Sequence, residues 1–497
     1  MHKNKFKRTS FIIVGLIIFL QLFMIAPGAS ALSQSTESQS VPAGLTAEEW
    51  GQIRGLIDTY QQTYLKASFT DAEDYFGYSV AISGDTLVVG AHNEDSDGSG
   101  PGDNSATDAG AAYVFVRDGF NWTQQAYLKA GNAEANDMFG ISVAISGDTL
   151  VVGAAYEDSD GSAPEDNSAS YSGAAYVFVR SGTTWTQQDY LKASNVERRE
   201  FFGYSVAISG DTVVVGAYGE DSNGSGPEDN SESCSGAAYV FVRSGTTWTQ
   251  EDYLKASNAE QDDTFGVSVA ISGDTVVVGA LGEGSDGSSQ VDNSESGSGA
   301  AYVFVNDGED WAQQDYLKAF NAGESDFFGV SVAISGDTIV VGAAQEGSDG
   351  SGPDNDDAPQ SGAAYVFVRS GTTWNQQDYL KAANPELEDY FGASVAVSGD
   401  MVVVGAYRDD NVAEDAGSAY VFVRSGTAWS QQAYLKADNA DEEDLYGCAV
   451  AVSGDTIVLG APYESSDGSG PENNDASNSG AVYMFYRMNQ YLPLLRR

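Results

Sequence analysis

Short apolar runs broken by glycine-bearing turns fill the chain from about residue 60 to its end. The first full set shows the unit. Tyr78 to Ile82 is one run, and the Ser83-Gly84 that follows is a two-residue hairpin signal. Thr86 to Ala91 reads Thr-Leu-Val-Val-Gly-Ala. An acidic stretch from about His92 to Asp108 leads to a third run, Ala111 to Val116. A turn at Asp118-Gly119 then leads to a fourth, Trp122 to Ala130. These runs are too short for helices and are rich in Val, Tyr, Phe and Ile, so each is predicted to be a strand. In the first run, Ser79 and Ala81 suit a crowded inner edge. The second and third runs are apolar on both faces, as in strands sandwiched between neighbours. The fourth mixes Trp122, Ala126 and Leu128 with Thr123, Gln125 and Lys129. That pattern predicts a half-exposed outer strand whose lysine blunts an open edge.

The unit repeats. Phe-Gly pairs begin at Phe76, Phe139, Phe202, Phe265, Phe328 and Phe391, in steps of 63 residues. A seventh copy, Tyr446-Gly447, comes 55 residues later because the sixth repeat has a shorter loop. Seven units of four antiparallel strands predict an all-β fold, a seven-bladed β-propeller. The seventh unit lacks a fourth strand, whereas Gln61 to Ala67 resembles one and precedes the first Phe-Gly. This N-terminal strand is expected to complete the last blade and close the ring. The alternative, Asn489 to Leu492, is a looser match.

Antiparallel topology separates the connections. Turns between strands one and two, and three and four, emerge on one face. The 2–3 loops and the links between blades emerge on the other, which therefore receives every long acidic segment. Binding residues concentrate on loops held by a rigid scaffold. The 2–3 loops carry Asn93, Glu94, Asp95, Asp97 and Asn104 in the first repeat, then Glu157, Asp158 and Asp160 in the second. They continue with Glu220, Asp221 and Asn223, Glu283 and Asp286, Glu346 and Asp349, and Glu464 and Asp467. The sixth loop, from Arg408 to Gly417, lacks the pattern. Closely spaced carboxylates with a turn glycine suit calcium, which takes six to eight oxygen ligands. The same residues also suit solvated turns closed by Asx hydrogen bonds, and the sequence leaves both readings open.

The Phe-Gly pairs and the Gly-Ala at Gly90-Ala91 and its equivalents, with a full Gly-Ala-Pro at Gly460 to Pro462, resemble FG-GAP repeats, the units of the integrin α-subunit head. The resemblance spans nearly all of residues 61–488. It implies a seven-bladed propeller, extracellular placement, and ligand or cell-surface binding. One departure matters. In integrin-like repeats the calcium loop lies between strands one and two, and here that connection is a Ser-Gly turn before Asp85 and its equivalents. So tight a turn cannot wrap an ion, and these aspartates are expected to close the hairpin by local hydrogen bonds.

The ends carry other signals. Residues 1–31 read as a secretory signal peptide: a basic start, an apolar run from Phe11 to Ile25, and the cleavage triplet Ala29-Ser30-Ala31. Residues 32–59 read as a linker with a short helix from about Ala47 capped by Thr46, and residues 489–497 as a tail. No later segment is apolar enough to span a bilayer as a helix, so a secreted or cell-surface protein is expected. The formal charge of −49 makes nucleic acid an unsuitable partner. An extracellular protein or glycan is the expected one, and the sequence is silent on oligomeric state. Two cysteines, Cys234 and Cys448, form no disulfide scaffold. The signal-free chain has one histidine, His92, so no Ser–His or Cys–His catalytic system can be assembled. Acids repeated almost identically suit repeated binding or structural roles better than a unique catalytic constellation, and no enzyme is expected. The residues that break the repeat on the acidic face, Arg198, Arg199, His92 and Arg408, remain as candidates for a special role.

Overall fold

Each apolar run is a strand in the computed structural model, which describes residues 60–487 apart from positions 70, 101, 120, 164–165, 227–228, 353–354 and 472. The expected signal peptide, linker, helix and tail lie outside the described residues. In the first blade the strands are Ser79–Ser83, Thr86–Ala91, Ala111–Asp118 and Asn121–Leu128, paired antiparallel in chain order. Six sheets are built this way. The last has the order Tyr60–Leu65, Ala481–Arg487, Thr456–Ala461, Ala449–Ser453, so the N-terminal strand does supply the outer edge of blade seven. The chain divides into a large unit, Tyr64–Met484, and a small unit of the two chain ends. The ring belongs to the large unit.

Strand one of each blade lies against strand one of its neighbours, which places it at the axis. The family dipeptides form the joint between blades. Gly140 sits at φ +97°, a conformation that side chains disfavour, and its N–H donates to the Gly153 carbonyl at 2.9 Å. Its own carbonyl accepts the Ser79 hydroxyl of the preceding blade at 2.8 Å. That carbonyl also lies so close to Gly90 that a Cβ there would sit 2.0 Å from it. Thus Ser79 of strand one and Gly90 of strand two serve the blade-to-blade joint. The joint that closes the ring keeps the close glycine approach, Gly77 against Gly460, but has Ala449 in place of the serine. There the Gly77 N–H donates to the Gly90 carbonyl at 3.0 Å and the Phe76 N–H to the Ser479 carbonyl at 3.2 Å.

Between blades lie dry layers of Val, Ala, Tyr, Phe and Trp, such as Val88, Val114, Phe139, Val152, Tyr176 and Trp185. Strands three and four shift register by one residue between Val114 and Phe115, a bulge that leaves Gln125 unopposed. The bulge aims Gln125 at the next blade, where its Oε1 accepts the Trp185 Nε1–H at 3.0 Å. The recurring tryptophans are therefore packing residues, each beneath a strand-three arginine where one is present, as Trp185 lies beneath Arg180.

Candidate functional site

The two faces separate as the topology requires. On the short-turn face, Arg117 Nε donates to Asp85 at 2.7 Å, and Arg117 Nη1 reaches Thr456 of blade seven at 3.1 Å. The aspartates after the Ser-Gly turns thus anchor arginines, as Arg180–Asp148, Arg243–Asp211, Arg369–Asp337 and Arg424–Asp400 also do. On the other face, each inter-blade link is laced to the 2–3 loop of the preceding blade, for example Met138 N–H to the Asp108 carbonyl at 3.1 Å.

The loop glutamates do not face solvent. Glu94, Glu157, Glu220, Glu283, Glu346 and Glu464 are all buried. Each pairs with the lysine that ends a strand-four motif: Lys129, Lys192, Lys255, Lys318, Lys381 and, through the N-terminal strand, Lys66, at 2.6–2.8 Å. Lys129 is therefore not an exposed charge on an edge, as its sequence position suggested. The loop folds back over it and buries it against Glu94. Two further donors complete that carboxylate, the Tyr127 hydroxyl at 2.8 Å and the Ser96 N–H at 3.1 Å. Burial lowers the lysine pKa values, opposed by the paired glutamates. In the sixth blade Asp409 replaces the glutamate and pairs with Lys436 at 3.1 Å. Burial opposes its ionisation, but the Tyr420 hydroxyl and the Lys436 ammonium outweigh this and hold its pKa below the ordinary carboxylate value.

The remaining loop acids close turns. Asp97, Asp160, Asn223, Asp286, Asp349 and Asp467 each accept the N–H of the serine two residues on, at 2.7–2.8 Å. Asp95, Asp158 and Asp221 accept an N–H thirteen residues on, at 2.7–2.9 Å. Asn104 donates to Asp71 of the link before its blade at 3.2 Å, and the Asn93 Oδ1 is buried without a partner. Among the described residues no three His, Cys, Asp or Glu side chains gather as a metal shell would need. With the glutamates spent on ammonium groups and the aspartates on backbone N–H groups, the loops as built do not fit a calcium ion's demand for six to eight oxygens.

A different set of residues marks this face. At the residue before each Phe-Gly pair the copies diverge: Tyr75, Met138, Phe201, Thr264, Phe327, Tyr390 and, before Tyr446-Gly447, Leu445. All seven are non-glycine residues with φ between 52° and 57°. Such a backbone costs about 1–3 kcal/mol per residue, and strain of this kind concentrates at functional sites. Around them three aromatic groups form a collar. Tyr171, Phe201 and Tyr218 stack in a pile, with centroids 6.1 and 4.9 Å apart and planes within 15° and 1°. Tyr156 and Tyr204 meet this pile edge-on. Tyr75 and Tyr78 enclose His92, at 5.6 and 4.2 Å, and burial pushes the imidazole pKa down to about 4. Tyr390 and Tyr407 stack at 5.3 Å with the Arg408 guanidinium over both rings. His92, Arg199 and Arg408 were legible as breaks in the repeat. The aromatic residues were missed, although the same comparison of copies would have found them. Cys234 and Cys448 are free thiols.

In the crystal structure of Saccharomyces cerevisiae Sqt1, the aligned chain is 9% identical over 80% of this chain and 82% of its own, with a TM-score of 0.42. A chain of the crystal structure of the Mitotic Checkpoint Complex is 11% identical over 86% and 93%, with a TM-score of 0.46. No curated protein matches this sequence. The FG-GAP repeat profile matches residues 60–115, 122–178, 185–241, 248–304, 311–367, 374–422 and 429–485, one match in each of the seven repeats, and the chain belongs to the FG-GAP repeat family.

Proposed function

We propose that this protein is an exported, non-enzymatic binding module that recognises an extracellular protein or glycan at the aromatic collar on its loop-bearing face. One observation carries the reading. The copies are nearly identical through their strands and, the short sixth loop apart, keep one loop pattern, yet diverge at seven strained positions in one ring, where aromatic side chains gather. A scaffold has no need of such divergence, whereas a single ligand meets each junction of a ring differently. The acidic loops serve as the collar's mount, each held by a buried lysine. The test is an array of extracellular proteins and glycans, probed with the wild-type chain and with a variant carrying Phe201→Thr and Tyr218→Leu, the residues at the same positions one repeat later. Retention of a ligand by the wild type and its loss by the variant supports the reading. A ligand retained equally by both would refute the collar as its site.

A further inference from the structure

The junction between blades two and three departs from its siblings in charge as well as in shape. Among the described residues every lysine pairs with a carboxylate, and so do the five repeat arginines of strand three. Arg198 and Arg199 do not. Arg198 donates Nε and Nη2 to the Ser168 carbonyl, which leaves its charge uncancelled. Arg199 is exposed, at φ 66°, with no ion-pair partner among the described residues. Arg408 also lacks an ion pair among the described residues but stands singly, over Tyr390 and Tyr407. In a chain of charge −49, Arg198 and Arg199 set two uncancelled guanidinium groups at adjacent positions on the acidic face. Two acids flank them. Glu197 accepts the Asn230 amide and pairs with neither guanidinium among the described residues. Burial raises the Glu200 pKa to about 8 and keeps it largely protonated at neutral pH.

Beside the arginines lies an open aromatic face. The Arg199 N–H donates to the Ser170 carbonyl and the Phe201 N–H to the Tyr171 carbonyl, both at 3.0 Å, so link and loop run side by side. Tyr171 stacks on Phe201 and remains 40% exposed. Residues 192–197, just before the arginines, line a polar crevice of about 410 Å³ with Asp160 and Gly161.

We propose that this junction binds a sugar ring carrying a carboxylate, with its C–H face on Tyr171 and its carboxylate on Arg199 and Arg198. The proposal rests on the reading of the collar as the recognition site. The planar guanidinium fork matches a carboxylate. A phosphate, with its higher charge, is repelled more strongly by the acidic surroundings. A protein epitope needs about 800 Å² of surface from each partner, whereas this site offers one open ring and two side chains, the scale of a single sugar residue.

The test is calorimetric titration of the signal-free chain with galacturonate oligomers, sialyllactose, neutral galactose oligomers and a polyglutamate peptide. The variants are Arg198→Gln with Arg199→Asn, and Tyr171→Asn. Each copies a sibling repeat (Gln261, Asn136 and Asn478), so folding is preserved. The expected result is binding of one carboxylated sugar, none of the neutral oligomer, and a loss of about tenfold or more in each variant. Binding that the variants leave unchanged, or equal binding of the neutral oligomer or the acidic peptide, overturns the proposal. If no carboxylated sugar binds while another array ligand is retained through the collar, this inference falls and the broader reading stands. If nothing is retained on the array, both fall.

Discussion

Glu220 Oε2 lies 2.6 Å from Lys255 Nζ, and both side chains are sealed from solvent. This pair joins the acidic loop of blade three to its outermost strand, and it recurs around the ring. Removing one partner of a buried pair strands the other charge, at a cost of about 3–5 kcal/mol. Glu220→Gln is therefore expected to destabilise the protein by about that amount in chemical denaturation. The double change Glu220→Leu with Lys255→Met should recover most of the loss. A single variant as stable as wild type would show that the pair is open to water.

Calcium removal offers a second test. Because the loop glutamates already hold ammonium groups, and the aspartates hold backbone N–H groups, added calcium should leave the melting temperature where a chelator leaves it. A clear calcium-dependent rise would mean that these carboxylates rearrange around an ion.

Acidity should matter more than calcium. In each link one acid is buried beside a loop carboxylate. Burial raises Asp74, Asp137, Asp263, Asp326, Asp389 and Asp444 to about 7. A raised carboxyl pKa means that the folded state holds protons the unfolded state has released, so stability falls as pH rises from about 4 to about 7 and then levels. The chain should melt higher at pH 5.5 than at pH 8, measured in salt that screens the net charge. Asp263→Asn should stabilise it at pH 8 and change little at pH 5. A melting temperature that climbs with pH over this range would contradict the assignment.

One blade joint is incomplete. Trp248 Nε1 donates to Gln188 at 3.0 Å, but Glu251 stands at the corresponding bulge of blade three, and the Trp311 Nε1 beyond it is buried without a partner. Glu251 is exposed, because its charge resists burial at the joint. The neutral side chain of Glu251→Gln can turn in to accept the Trp311 N–H and should add about 1 kcal/mol, while Gln188→Glu should remove a similar amount by turning its charge out to solvent. Equal denaturation midpoints for all three proteins would count against the joint.

Strand runs, repeat spacing, ring closure and the gathering of acidic segments on one face were all legible, because each follows from local pattern and antiparallel geometry. The partner of Lys129 was not. Alternation along the outer strand points this lysine toward solvent, and only the fold brings Glu94, 35 residues earlier, over it. The signal was nonetheless present: a loop glutamate and a strand-end lysine recur together, and where the sixth loop shortens, Asp409 takes the place of the glutamate. The collar stayed hidden for another reason. Tyr171, Phe201 and Tyr218 look like ordinary core residues until the register shows that the first two sit where the backbone turns left-handed on the loop-bearing face, with Tyr218 stacked on Phe201.

Hydrogen–deuterium exchange of the chain with its array ligand tests the division between mount and recognition site most directly. Protection confined to residues 170–172, 199–204 and 216–219, with the acidic loop tips unchanged, is the expected footprint. Protection of those tips around the ring, or of the short hairpins on the far face, would show that recognition lies elsewhere.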